Sequence, residues 1–329
     1  VFLPSDQPTV LSKRIGFTVT GGVYPVSLEP EQRIKLRSHI DGAGYSTNGV
    51  TIIDLPLTYV AVDEVLERFQ ALRGLQHVFA RNIRTSDLNG EVSSWDPNYF
   101  DEVQGVEIGS IGVSGKPLDL LVIRARDGAA IAFALKNMIF TQLPNDIPSI
   151  WVTTPTQEQP SVKFAINGDF SIDQGRARID ETSPLNNVVT ETLSEQSLKS
   201  LLDLAASIES NNLVLGIGGS QGSADSYEFW DSFWSLIGPD LAMNRLGARD
   251  HELARQIFWG GSLPAIPSLI RKKQVLPTRL QADHTVLVKT GDIKYVVIGL
   301  LDNPIVFSAA AKALVYNCNE VCNWFDRSV

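Results

Sequence analysis

Residues 162–176 have the sequence VKFAINGDFSIDQGR, in which a strand pattern leads directly into a bend. Apolar side chains alternate with polar or small ones from Val162 to Asn167, and this two-residue period indicates a half-buried strand. Asn167 and Asp173 are of the residue types that hold bends through side-chain to backbone hydrogen bonds, and Gly168 lies between them. The segment therefore predicts a β-strand that ends in a polar turn.

The part of the chain before this strand predicts strands and turns with two helices. Residues 50–57 form an apolar run that is typical of a buried strand. Residues 63–75 have helical spacing of apolar side chains, and Gly74 is expected near the end of this helix. From 78 to 170 strand patterns dominate, and the segment 129–140 fits either a strand or a helix.

The part of the chain after this strand alternates helices with strands. A helix is predicted at 193–207 from its in-phase leucines, and helical character returns at 251–259. Strands at 285–289 and 295–301 precede a final helix at 304–325. A further helix carries an aromatic row that fits either the core or a partner-binding surface: Tyr227, Phe229, Trp230, Phe233 and Trp234.

The composition is that of a folded, acidic protein. At 329 residues the chain is long enough for two domains, and 43% hydrophobic with 20% charged residues is typical of a globular protein. The net charge of -9 disfavours nonspecific binding to nucleic-acid phosphates or anionic lipid. No apolar run reaches about 18 residues and no secretory signal is visible, so we expect a cytoplasmic protein with no membrane segment.

The two cysteines, Cys318 and Cys322, lie four residues apart on one face of the predicted final helix. No histidine is near them in the sequence, so they lack the further ligands that a metal site needs. We expect two buried thiols in a reducing compartment, and no metal site.

Several stretches resemble the sacsin-type relatives of the ninety-kilodalton heat-shock chaperone, a family of GHKL-type ATPases. Residues 49–57, GVTIIDLPL, resemble the strand that closes the ATP-binding sheet of that family, and 77–84, HVFARNIR, resemble the strand after the next helix. Residues 164–176 are the most specific match, because they are similar to the family's apolar-x-Asn-Gly-x-Phe-x-Leu-Asp-x-x-Arg signature. Residues 275–278 and 296–299 resemble a pattern of bacterial members.

The resemblance implies an ATP-binding domain followed by a transducer-like domain. It implies an α/β (α+β) fold in which 1–60 are the tail of an ATP-binding-type sheet, 61–185 a transducer-like domain with a mixed sheet, and 186–329 a second α/β domain. The ATP-binding motifs themselves are not evident. Before Gly49 only residues 41–44, DGAG, are similar to them, without a second glycine in register or a preceding Glu/Asn helix. ATP and Mg are therefore expected to bind through a domain that is not evident in this chain.

Arg176 occupies the position at which the resemblance implies a contact with the terminal phosphate of ATP. A guanidinium suits this role, because it is always charged and offers a planar fork of donors to phosphate oxygens. Such a contact exists only with the triphosphate, so hydrolysis would release it and let the domains move. The alternative is a structural salt bridge from Arg176 to Asp173 or Asp180.

A competing signal is the glycine-rich stretch LVLGIGGSQG at 213–222, which contains Gly-x-Ser-x-Gly. A strand-like run before it and a predicted helix after it form the context of an α/β-hydrolase nucleophile elbow, with Ser220 as the nucleophile. The base and the orienting carboxylate would come from His284 or His251 and from Asp240, Asp250 or Asp283. The surrounding sequence lacks the strand–helix alternation of that fold, and a plain glycine-rich turn or a dinucleotide loop are the other interpretations.

The sequence thus predicts a segment that couples nucleotide state to movement or partner binding in a larger chaperone-like ATPase, and not an enzyme that is active alone. The expected partners are an ATP-binding domain of the same or a partner chain and other proteins, with no membrane and no nucleic acid indicated. In bacteria the resemblance extends to large multidomain proteins, including some linked to phage defence. The alternative function is a serine hydrolase that uses Ser220.

Overall fold

The computed structural model describes the following residues: 7–12, 15–20, 24–42, 51–56, 61–80, 82–99, 103–158, 160–173, 178–180, 183–209, 214–217, 220–223, 229, 232–233, 236–237, 248–260, 276–279 and 285–288. Helices and several sheets alternate along these residues, so the chain has the α/β fold that the sequence predicted. It divides into two compact units, 1–69 and 70–329. The predicted domain boundaries at 60/61 and 185/186 stay predictions.

The first unit contains a four-stranded antiparallel sheet with the order β3-β2-β1-β4. Its elements are β1 Thr9–Ser12, β2 Ile15–Thr20, β3 Tyr24–Ser27, α1 Pro30–Gly42 and β4 Thr51–Asp54. We call this sheet the small sheet. Helix α1 covers one of its faces, where Leu36 joins Leu11 and Leu28 in a buried cluster.

Strand β4 corrects the prediction that residues 50–57 form a buried strand. The strand exists, but Ile53 is 61% exposed and Leu55 is 39% exposed. Among the described strands β4 lies at the edge of the small sheet, and Ile52 is its one side chain packed against the buried cluster. The apolar run indicated burial, but among the described residues α1 covers only one face of this sheet, so alternate side chains of the edge strand remain in contact with water.

The second unit is built on an eight-stranded sheet, which we call the central sheet. Its strand order is β13-β12-β14-β10-β9-β8-β7, and β11 pairs with β10. All described pairs are antiparallel except β12 with β14, so the sheet is mixed, as predicted. The strands are β7 Asn98–Tyr99, β8 Val106–Val113, β9 Lys116–Arg124, β10 Ala130–Lys136, β11 Ile139–Thr141, β12 Ile150–Val152, β13 Thr154–Pro155 and β14 Ala165–Asn167. A separate hairpin, β5 Thr85–Leu88 with β6 Glu91–Ser94, precedes them.

Both faces of the central sheet are buried. Along β10, large side chains such as Phe133 point to one core cluster, while small ones such as Ala132 point to another. The cluster on the small-residue face contains Leu75 and Phe79 from helix α2, Val62–Phe79. This double burial resolves the ambiguity of 129–140, which form strands β10 and β11 and no helix.

The opposite face is covered by later helices. Helix α3, Pro184–Glu209, contributes Leu193, Leu201 and Leu204 to the large-residue cluster, which confirms the helix predicted at 193–207. Helix α4, Arg249–Arg255, continues into a π-helical turn, Gln256–Gly260, in agreement with the helical character predicted at 251–259. From the aromatic row, Phe229 and Phe233 are buried in this cluster, while Tyr227, Trp230 and Trp234 lie outside the described residues.

Helix α2 is longer than its sequence pattern indicated. Gly74, expected near its end, lies well inside it. A Cβ at this position would lie 2.8 Å from the carbonyl oxygen of Gly112, so the position requires glycine. The helix therefore approaches the sheet closely through a glycine, and packing outweighs the low helix propensity of that residue. The predicted strand at 77–84 is wrong: His77, Val78 and Phe79 form the last turn of α2, and the next strand begins at Thr85.

Two short hairpins lie after α3 in the sequence, one before α4 and one after it. β15, Val214–Ile217, pairs with β16, Ser220–Ser223, and β17, Leu276–Arg279, pairs with β18, Thr285–Val288. The strand predicted at 285–289 is therefore present. The predicted strand at 295–301, the helix at 304–325 and both cysteines lie outside the described residues. Within the described part of the chain, no helix is long and apolar enough to cross a membrane.

Candidate functional site

The segment with the most specific sequence pattern ends at one end of the central sheet, where Asn167 joins two turns. Its Oδ1 accepts the backbone N–H of Thr153 at 2.9 Å, and its Nδ2 donates to the carbonyl oxygen of Gly128 at 2.8 Å. Both partners have positive φ, 64° at Thr153 and 83° at Gly128, and such a φ is unusual for a β-branched residue. Asn167 is 3% exposed, so its amide holds a strained backbone from inside the protein.

Gly168 sets the distance between this end of the sheet and helix α3. Its N–H donates to the carbonyl oxygen of Trp151 at 3.1 Å. A Cβ at Gly168 would lie 2.4 Å from Cγ1 of Val189, a contact that no packed structure tolerates. The glycine therefore serves close packing against the first half of α3.

Residues 171–173 and 178–180 pair with each other, and we call these two arms the hairpin base. Ile172 and Ile179 form a β-bridge, and Asp173 N–H donates to the Arg178 carbonyl at 2.9 Å. The Asp173 carboxylate accepts the Arg178 N–H at 3.3 Å, a side-chain to backbone bond of the kind that stabilises bends. Arg176, the predicted phosphate contact, belongs to residues 174–177 between the arms, which lie outside the described residues.

Asn186, in the first turn of α3, braces the hairpin base. Its Oδ1 accepts the Ser171 N–H at 2.7 Å, and its Nδ2 donates to the Asp180 carbonyl at 2.6 Å. Both arms are thus tied to one buried amide, which is 7% exposed. Sequence reasoning missed Asn186, because the helix was predicted to begin at 193 and Asn186 lay in the polar stretch before it, where no periodic pattern indicated a helix.

Glu158 contacts the same hairpin base from the other side. Its Oε1 accepts the Ile179 N–H at 3.4 Å. Partial burial raises the pKa of the Glu158 carboxyl above its ordinary value, and Asp250 acts in the same direction, while the Ile179 hydrogen bond, Arg178 and Arg249 oppose the shift. A partly buried carboxyl with a raised pKa and two arginines nearby is the kind of group that often lies at functional sites. No feature of the sequence pattern distinguished Glu158.

Asp250 lies next to this group and is fully buried, with 1% exposure. Its carboxylate accepts hydrogen bonds from Ser149 Oγ at 2.6 Å, from the Ser161 N–H at 2.5 Å and hydroxyl, and from the Val162 N–H at 2.9 Å. These contacts tie helix α4 to the segments that lead into β12 and β14. The sequence suggested Asp250 only as a possible orienting carboxylate for Ser220. In the structure its described side-chain partners are Ser149 and Ser161.

The hydrolase interpretation required Ser220 on a sharp turn between a strand and a helix. Ser220 is instead the first residue of β16, paired with Ile217 across a two-residue connection at 218–219. A β-hairpin accounts for the glycines, because short hairpin connections favour residues with positive φ. His284, the candidate base, lies outside the described residues, and His251 is buried at 2% exposure.

Neither metal-binding groups nor similar proteins indicate a ligand for the described part of the chain. Within the residues that the structure describes, no group of three or more His, Cys, Asp or Glu side chains is arranged to hold a metal ion. Comparison of the chain with protein-family models, with curated proteins and with solved structures finds no match.

Proposed function

We propose that this chain is the nucleotide-state-coupling and interaction segment of a larger chaperone-like ATPase of the GHKL type. In this proposal ATP and Mg bind to an ATP-binding domain of the same or a partner chain. Arg176 then contacts the terminal phosphate, and the segment responds when hydrolysis removes that phosphate. The main support is the hairpin base, which holds the ends of residues 174–177 on a buried scaffold.

The scaffold suits a residue that must reach a ligand outside its own domain. Two backbone hydrogen bonds join the arms, at Asp173–Arg178 and Ser171–Asp180, so the separation of their ends is fixed. Arg176 lies in the sequence between these fixed arms, and the planar fork of a guanidinium matches phosphate oxygens.

The contacts of the hairpin base suit a coupling role. Asn186 connects the arms to α3, a helix of 26 residues from which Leu193, Leu201 and Leu204 lie in the core cluster of the central sheet. Glu158 connects the second arm to the loop before β14. A displacement of the hairpin base on phosphate release would therefore act on a packed helix and on the sheet, which move as units because cores are densely packed.

The test is ATP turnover by the natural protein with its ATP-binding domain, compared with the Arg176→Ala variant. We expect a loss of roughly 100- to 1,000-fold in kcat, the scale of removing one donor to transition-state charge. Arg178→Ala is the matched control. Arg178 is exposed and lies two residues after Arg176, so this variant removes the same charge and leaves the backbone pairing intact. Its turnover should stay within about twofold of wild type.

Two results would contradict the proposal. Equal turnover of the Arg176→Ala variant and the wild type would exclude the phosphate contact. ATP hydrolysis by the 329-residue chain alone, at a rate comparable with that of a complete ATPase, would show that the catalytic pocket lies within this chain, against the proposed division of labour.

A further inference from the structure

The carboxylate of Asp250 occupies a site made of hydrogen-bond donors from other parts of the chain. Three donors converge on Oδ2: the Ser149 hydroxyl, the Ser161 N–H and the Val162 N–H. Oδ1 accepts the Ser161 hydroxyl and the N–H of the adjacent His251. We call Ser149, Ser161 and Val162 the cradle.

The cradle has the chemistry of an anion receptor. All the hydrogen-bond donors described for this carboxylate, which is 1% exposed, are neutral hydroxyl and backbone N–H groups. Burial of a carboxylate is costly unless its oxygens are hydrogen-bonded, and consecutive backbone N–H groups such as those of Ser161 and Val162 form concave anion sites. Five donors distributed over two oxygens match a planar carboxylate.

The attachment of this segment to the sheet does not require a charge at Asp250. Leu253, Ala254, Ile257 and Phe258 from the same segment are buried in the large-residue core cluster and already attach it to the sheet. Hydrophobic contact is non-directional, so it does not select one register of the segment on the sheet. A single buried acceptor that must meet several donors does select one register.

We propose that the cradle is a carboxylate-binding site, occupied within the chain by Asp250, which positions the loop at 156–162. Glu158 lies in this loop and accepts the Ile179 N–H of the hairpin base, so an ordered cradle also places the acceptor for that N–H. This inference goes beyond the proposed function and does not depend on it, because nucleotide binding plays no part in the site or in its test.

The experiment removes the resident carboxylate and supplies a free one. In Asp250→Gly, amide hydrogen exchange at Ser161 and Val162 should be at least about tenfold faster than in the wild type, and exchange at Ile179 should also be faster. Sodium formate or acetate should slow exchange at all three amides. At about ten times the dissociation constant, it should also raise the melting temperature of the variant by about 3 °C. Sodium chloride at equal ionic strength should do neither.

Glu252→Gly is the matched control, since it places a glycine in the same helix at a side chain that is 60% exposed. It should leave exchange at Ser161 and Val162 unchanged and should not respond to formate. If Asp250→Gly does not fold, Asp250→Asn keeps the shape of the side chain but offers an NH2 group to the donors. That variant should show fast exchange at the cradle with no rescue by formate, because the amide fills the site.

Three outcomes would overturn the proposal. Exchange at Ser161 and Val162 in Asp250→Gly could equal that of the wild type. Formate and chloride could act equally on that variant. Asp250→Asn could retain wild-type exchange at the cradle, in which case an ionised carboxylate is not what the donors hold.

Discussion

The central sheet and the small sheet use similar apolar strands and bury them to very different degrees. In β9 four consecutive residues, Leu120 to Ile123, are fully buried, because α2 covers one face and later helices cover the other. In the small sheet, Ile15 and Ile53 are 68% and 61% exposed, and the buried cluster contains three of the residues that the structure describes. An apolar strand is therefore a core strand only where helices are available for both of its faces.

The largest expected effect tests this comparison with one substitution in each sheet. Ile123→Ala should destabilise the second unit by about 3 kcal/mol, because it leaves a cavity between packed layers. Ile53→Ala should change the stability of the first unit by less than about 0.5 kcal/mol, as is usual for exposed positions. Urea unfolding of the two variants measures both changes in stability, and site-resolved hydrogen exchange assigns each change to its unit. A cost above about 1.5 kcal/mol for Ile53→Ala would mean that another surface covers β4.

A smaller effect is expected in the cluster beneath α1. Leu36→Ala should cost about 2 kcal/mol, at the lower end for a buried leucine, because the side chain retains 9% exposure and has few buried neighbours. Amides of α1 and β1 should then exchange faster, while those of β9 and β10 keep their wild-type rates. Faster exchange in both sheets would contradict the division into two compact units.

The smallest effect concerns the partly buried carboxyl beside the central sheet. Burial raises the pKa of Glu158, so the folded state favours the protonated form, and this contribution to stability is complete below the unfolded pKa. It is lost as pH rises through the raised, folded-state pKa. Glu158→Gln removes the cost of ionisation and can still accept the Ile179 N–H, so the variant should gain on the wild type as pH rises from about 4 to 7.

Melting temperatures across that pH range measure the difference, which should be no more than about 2 °C at pH 7 because the group is partly exposed. Glu195→Gln, at an exposed position of α3, is the control and should show a smaller change. A variant of Glu158 that loses stability with rising pH relative to the wild type would indicate that Arg178 and Arg249 outweigh burial.

Local patterns predicted many elements correctly and failed where distant contacts decide. The leucine spacing of α3 was sufficient to predict a helix, and the apolar runs of β8 and β9 were sufficient to predict strands, because each of these elements is long or strongly periodic. The end of α2 was predicted wrongly because Gly74 looked like a stop signal, whereas it meets the backbone of Gly112. The nucleophile elbow expected at Ser220 failed similarly, since glycine-rich turns serve hairpins as well as elbows.

The sequence alone determined the α/β class, the main periodic elements and the polar bend after β14, because these depend on the spacing of neighbouring side chains. It also predicted Asn167, Gly168 and Asp173 in that bend, whereas in the structure Asn167 is the last residue of β14 and its amide bonds the turns at Thr153 and Gly128. Only the tertiary structure brought Asn186, Glu158 and Asp250 to the same end of the central sheet, since they come from a helix, a loop and a second helix up to 92 positions apart. Hydrogen bonds between such distant groups depend on how the chain returns on itself, which no local pattern encodes.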